Sequence, residues 1–260
     1  MSENPHPPAA PPPQASDYWH QSRQPLASLM FVVPLLVVYE AGVLFLGPQA
    51  IRNGADVWLR GLLDLLGLGQ YFLLPVLTVG ILLAWHHATG RPWDVSRGVL
   101  SGMLVESVLL GFCLRLILQL EVIGWQMLAR PPAAVGQQGG VLPEAANTWA
   151  GMIGFLGAGV YEELLFRLVL LSAAVWAVRR LGMPAGRAAV AAVVGTSFLF
   201  AVAHYVGPYG YAVEWTGYVF WCGFLFRFLA GMFFSILFLC RGFGIAAAAH
   251  AGFDILVKLL

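Results

Sequence analysis

Charge is what this chain has least of. Only 10% of its 260 residues are Asp, Glu, Lys or Arg, and Lys258 is the single lysine. A soluble domain carries about 25% charge. With 59% hydrophobic residues and a mean hydropathy of +0.77, the charges are too few to cover a water-facing surface, so the excess apolar surface must face lipid. The net charge of +1 argues against nucleic-acid binding, which needs a clustered basic face to neutralise phosphates. Cysteine is scarce as well. Cys113, Cys222 and Cys240 are odd in number and lie within apolar runs, which reads as small core hydrophobes, not a disulfide framework or a zinc site.

Residues 1–24 differ from the rest. "NPHPPAAPPPQAS" is proline-rich and polar, cannot pack a core, and predicts a disordered tail. It lacks the basic start, short apolar stretch and cleavage site of a signal peptide. The apolar segments are therefore expected in the mature protein, as one helical membrane domain over 25–260.

Stretches near the roughly 20 residues that cross a bilayer fall at 25–47, 69–86, 98–120, 148–178, 187–206, 215–240 and 244–260. The fold class is all-α: a polytopic membrane protein of about seven or eight transmembrane helices. Between the first two spans, Asp56, Arg60 and Asp64 recur every four residues among Val57, Leu59, Leu62, Leu63, Leu65 and Leu66. This spacing predicts an interfacial amphipathic helix with its charged stripe facing water. The segment 129–146 reads as a polar loop rich in Pro and Gly. With the N-terminus inside, seven arginines (23, 91, 97, 179, 180, 187 and 241) fall on the inner side, against Arg52, Arg60, Arg130 and Lys258 outside. The bias favours a cytoplasmic N-terminus and a multi-pass protein of the cell membrane.

Ten ionisable residues lie at or near membrane depth: Glu40, Glu106, Arg115, Glu162, Glu163, Arg167, His204, Arg227, His250 and Asp254. Each costs about 2.5–3.5 kcal/mol or more at the bilayer centre. Glu106 and Arg115 are nine residues apart, on opposite faces of one helix, so each needs a partner elsewhere. A tie of Glu40 to Arg115 or Arg227 is expected.

The other six are spaced more tellingly. Glu163 and Arg167 are one turn apart and can pair, whereas Glu162 points about 100° away and stays free for another neighbour. Phe200 and His204 are one turn apart, as are His250 and Asp254. Small residues let transmembrane backbones approach closely, and they precede or enclose each of these groups: Gly151, Gly154 and Gly157, "AAVAAVVG" at 188–195, and "IAAAAHAG" at 245–252. Three such helices can gather Glu162, His204, His250 and Asp254 into one polar pocket holding water, a metal ion or a peptide bond. Taken singly, each of these groups also has a structural reading, as a tie or a local hydrogen bond.

"EELLFR" at 162–167, "FAVAH" at 200–204 and "HAGFD" at 250–254 resemble, in order, three motifs of the CPBP family of intramembrane endopeptidases (CAAX protease, bacteriocin-processing and abortive-infection-like proteins). The resemblance covers roughly 145–260. It implies hydrolysis of a peptide bond in a protein or peptide presented at the bilayer. Glu162 with His204 would activate a water, and His250 with the residue at 254 would stabilise the oxyanion. Glu163 and Arg167 complete the first motif.

Many members carry Asn where this chain has Asp254. That leaves three roles for Asp254: a protonated donor, an orienter of His250, or a metal ligand. Metal-free hydrolysis needs no cofactor; the alternative is Zn²⁺ held by Glu162, His204, His250 and Asp254, although no HExxH helix is present. Two rival functions stand beside the protease. A proton-coupled transporter also uses intramembrane Glu and His, but it usually shows repeated halves, and none is visible. The other is a non-catalytic membrane scaffold that retains the site.

Depth adds one expectation. Counted from residue 148, Glu162 lies about 20 Å along its helix at 1.5 Å per residue, while His204 sits near the outer end of its own. The two meet only if 148–159 is a re-entrant or separately tilted segment broken at its glycines.

Overall fold

In a computed structural model that describes residues 15–129, 148–206 and 217–260, each of the seven apolar stretches contains a helix, residues 215 and 216 of the sixth lying outside the described residues, and no strand occurs among the described residues. The helices are α1 (Ala15–Gln21), α2 (Pro25–Leu46), α3 (Gly54–Leu65), α4 (Leu73–Thr89), α5 (Arg97–Ala129), α6 (Thr148–Glu163), a π-helical stretch (Leu164–Leu171), α7 (Ser172–Arg180), α8 (Ala185–Ala203), α9 (Tyr218–Arg241) and α10 (Phe243–Leu259). By length and composition α2, α5, α8 and α9 can cross a membrane, and α4 is a shorter apolar helix. The protein is an all-α membrane protein.

Local chemistry sets the boundaries. Pro25 opens α2, where its missing N–H costs nothing. The Asn53 side chain caps α3 by accepting from the Asp56 N–H at 2.8 Å. Gly242, at φ 88°, makes the reversal between α9 and α10, a conformation L side chains rarely adopt.

α10 is the central helix. Its Phe243, Ile245, Ala246, Ala247, Ala249, Ala251 and Phe253 are buried, and it packs on α2, α5, α6 and α9. Small residues make this possible. A Cβ on Gly159 of α6 would lie 2.5 Å from the Ala247 carbonyl oxygen, and one on Gly111 of α5 would lie 3.0 Å from the Phe253 nitrogen. The α6–α10 approach brings the two acids at the end of α6 beside His250.

The helix from residue 148 is not broken at its glycines; α6 runs unbroken to Glu163 and continues through the π-helical stretch into α7. The depth difficulty disappears when distance is counted from the short turn between α7 and α8. Glu162 is 18 residues before Arg180 (180 − 162), and His204 is 19 residues after Ala185 (204 − 185). At about 1.5 Å per residue they lie level. The extra length of α6 extends beyond the end of α8.

α3 is also turned over from its expected orientation. Asp56 is fully buried and Arg60 largely so, while Leu65 is 83% exposed. Asp56 and Arg60 face the bundle because they have partners there, while Asp64, the third member of the stripe, is exposed. Asp56 binds Arg52, Arg60 and the Tyr39 hydroxyl at 2.7, 2.7 and 2.8 Å. Arg60 reaches Glu40 at 2.8 Å, and the Tyr161 hydroxyl donates to the same Glu40 oxygen at 2.5 Å. Glu40 thus pairs with Arg60 and Tyr161, not with Arg115 or Arg227.

Glu106 does find its partner on another helix. Arg241 of α9 grips it with two nitrogens at 2.5 and 2.7 Å, and Tyr18 of α1 donates to it at 2.5 Å. Burial, helped by Glu106, pushes the Tyr18 phenol up to about 12, so it remains a donor. Arg241 also binds Ser22 at 3.0 Å. Residues 15–24 of the expected tail are therefore helical or docked, because Tyr18 and Ser22 have polar partners on the bundle; Ala129, the first residue of the loop expected over 129–146, ends α5, and residues 1–14 and 130–147 lie outside the described residues. The cysteines are free, but Cys113 and Cys240 are exposed on the bundle surface and so are not core residues.

Candidate active site

Four helices supply the site. α6 ends on Glu162 and Glu163, which leave the helix in different directions. Glu163 is fully buried and pairs with Arg167 at 3.0 Å. It also holds Nδ1 of His250 at 2.7 Å through the same Oε1. The pairing of Glu163 with Arg167 is the one expected from their spacing; the bond to His250 is not legible in any spacing. The π-helical stretch begins just after Glu163, and such stretches often mark functional positions.

Glu162 faces the histidines. Its Oε2 is 3.9 Å from Nε2 of His204 and 3.9 Å from Nε2 of His250. That oxygen is buried and makes no direct hydrogen bond. His204 caps α8, and its Nδ1 lies 2.8 Å from the Phe200 carbonyl oxygen, which fixes the ring with Nε2 toward Glu162. On α10, Asp254 Oδ2 is 3.7 Å from Nε2 of His250. The structure therefore brings all six expected residues, Glu162, Glu163, Arg167, His204, His250 and Asp254, into one cluster.

Aromatic side chains complete it. The ring of Phe234 on α9 stacks on His250 at 4.5 Å and 15°. Phe200 lies under the Arg167 guanidinium at 4.3 Å and meets His204 edge-on at 4.8 Å. Arg167 also donates to the Gly231 carbonyl at 3.3 Å. Phe234 and Gly231 carry no signal in the sequence, being unremarkable members of an apolar helix. Phe200, first residue of its motif, does.

Zinc requires donors converging at about 2.0–2.2 Å. Among the described residues no group of three or more His, Cys, Asp or Glu side chains is arranged to hold a metal ion. No step is routed through a metal.

The fold and the cluster together define a helical membrane protein with a buried Glu–His site. Residues 144–256, a little under half of the chain, match the family model described as "Type II CAAX prenyl endopeptidase Rce1-like". Those residues carry the three motifs, and over them the chain is similar to a family of CAAX-type endopeptidases. The chain matches no curated protein and no solved structure.

Proposed function

We propose that the chain is an intramembrane endopeptidase that hydrolyses a peptide bond in a protein or peptide segment presented from the bilayer, without a metal, and that its N-terminus is cytoplasmic. The observation that carries this reading is the position of Glu162 Oε2, buried and equidistant from the Nε2 atoms of two histidines. A span of 3.9 Å is too long for a hydrogen bond and suits a bridging water.

Glu162 and His204 are the groups we assign to that water. Glu162 takes its proton as the oxygen attacks the carbonyl carbon, giving a tetrahedral oxyanion. A base must be free of a permanent salt partner, and Glu163, not Glu162, holds Arg167. His250 in its doubly protonated form donates Nδ1–H to Glu163 and presents Nε2–H to the oxyanion, an arrangement in which a preorganised donor contributes strongly. Asp254, as the acid form, adds a second donor. The C–N bond then breaks, the proton on Glu162 passes to the leaving nitrogen, and a carboxylic acid and an amine result; transfer of the acid's proton to the amine leaves carboxylate and ammonium.

Incubation of the purified protein with a membrane-presented peptide library, read by mass spectrometry, tests the assignment. Internal cleavage by the wild type and none by Glu162→Gln/His204→Ala is expected. Equal background in both contradicts a protease and favours a scaffold.

A further inference from the structure

At the end of the bundle away from His204, Arg241 pairs with Glu106, but among the described residues Arg23, Arg91, Arg179 and Arg180 make no ion pair. Arg23 precedes α2, Arg91 follows α4, and Arg179 and Arg180 end α7. Arg23 lies against the α9–α10 turn, donating to the Leu239 carbonyl at 3.2 Å. α8 runs from this end to His204 at the other. Among the described residues, neither Arg23 nor Arg91 makes an ion pair, whereas Arg52, Arg60, Arg167 and Arg241 each do.

His20, Arg23, Gln24, Trp85, Thr89 and Arg91 line an open cavity of about 350 Å³. They come from three chain segments: the end of α1, the link to α2, and the end of α4 with the residues after it. No Asp or Glu lines the cavity, and Asp94, three residues past Arg91, is not among its walls. Two guanidinium groups, an imidazole and an amide border it, all able to donate to phosphate oxygens, whereas the Thr89 hydroxyl already donates to the His86 carbonyl at 2.7 Å. The bond from Arg23 to Leu239 fixes one guanidinium in advance. Trp85 and the exposed Trp19 and Trp93 are of the type that settles at the lipid–water boundary. Away from the cavity along α2 and α4, Met30, Val37, Leu77 and Ile81 are exposed, an apolar surface suited to acyl chains.

We propose that this cavity binds the phosphate of an anionic phospholipid headgroup, with the acyl chains lying against α2 and α4. Phosphate is the recognised group, and the apolar surface beside the cavity makes a lipid its source.

Native mass spectrometry of the protein released from nanodiscs of mixed phosphatidylglycerol and phosphatidylcholine tests this. The wild type should retain phosphatidylglycerol preferentially. Arg23→Gln/Arg91→Gln should weaken that retention about 30-fold, each arginine near an anionic surface being worth about fivefold, while Arg179→Gln/Arg180→Gln should keep it. Thermal unfolding in phosphatidylcholine alone checks the fold; should the double variant fail it, Arg91→Gln alone carries the test with about a fivefold loss. Equal retention by variant and wild type overturns the site. Displacement of the lipid by excess inorganic phosphate overturns the lipid as its source.

Discussion

Glu163 holds Nδ1 of His250 at 2.7 Å across 87 residues of chain. The same carboxylate oxygen pairs with Arg167 at 3.0 Å. One buried acid thus ties the π-helical stretch, α6 and α10 together, and sets which nitrogen of His250 faces Glu162. Glu163→Gln keeps the shape but removes the charge that orients the ring. We expect kcat to fall at least about 100-fold, by analogy with the loss of an orienting acid in a catalytic triad, with KM little changed, read in a cleavage assay.

Arg167 is 1% exposed and Glu163 fully buried. Removing one partner of a buried ion pair leaves an uncompensated charge. Arg167→Met should therefore destabilise the protein by about 3–5 kcal/mol, measured by unfolding in mixed micelles. Adding Glu163→Gln should recover part of that loss, because the orphaned charge goes with it.

Asp254 sits beside Nε2 of His250 at 3.7 Å, while Nδ1 is already held by Glu163. Orientation of the ring thus falls to Glu163, in keeping with the donor role proposed for residue 254. Asp254→Asn supplies that donor at every pH. Its cleavage rate is expected within about tenfold of wild type, whereas Asp254→Leu should lose about 100-fold or more.

The first half of the chain reaches the site through Tyr161, the residue before Glu162. Its hydroxyl donates to Glu40 at 2.5 Å, and its ring meets Tyr39 edge-on at 5.6 Å. A hydrogen bond to a charged group is worth about 1.5–3 kcal/mol. Tyr161→Phe should lower stability by that amount. Combined with Glu40→Gln, the loss should be less than additive, because both substitutions remove the same contact.

The sequence made the helices legible because lipid imposes a simple rule: long apolar runs with every backbone group bonded inside them. The site was legible where groups lie one turn apart, as with Glu163 and Arg167, Phe200 and His204, and His250 and Asp254. Relations across helices were not. The orientation of α3 depended on partners well back in the chain, Glu40 for Arg60 and Tyr39 for Asp56, 20 and 17 residues away (60 − 40 and 56 − 39), and no local period reveals whether a charged residue meets water or a buried network. Depth misled for a similar reason. Residues counted from the free end of a long helix do not share a zero with those of its neighbour; counted from a tight turn they do.

Because the proposed hydrolysis uses no metal, zinc chelators should leave the cleavage rate unchanged, and added zinc should not raise it. Loss of activity on chelation, restored by zinc alone, would show that the four donors rearrange around a metal.

The central claim is that Glu162 takes the proton from the attacking water. Its most direct test is the single-turnover cleavage rate of Glu162→Gln on a peptide that the wild type cuts, with matched unfolding temperatures for the two proteins. The account predicts a fall of about 10²–10⁴-fold, the usual contribution of a general base. A rate within about threefold of wild type would contradict it.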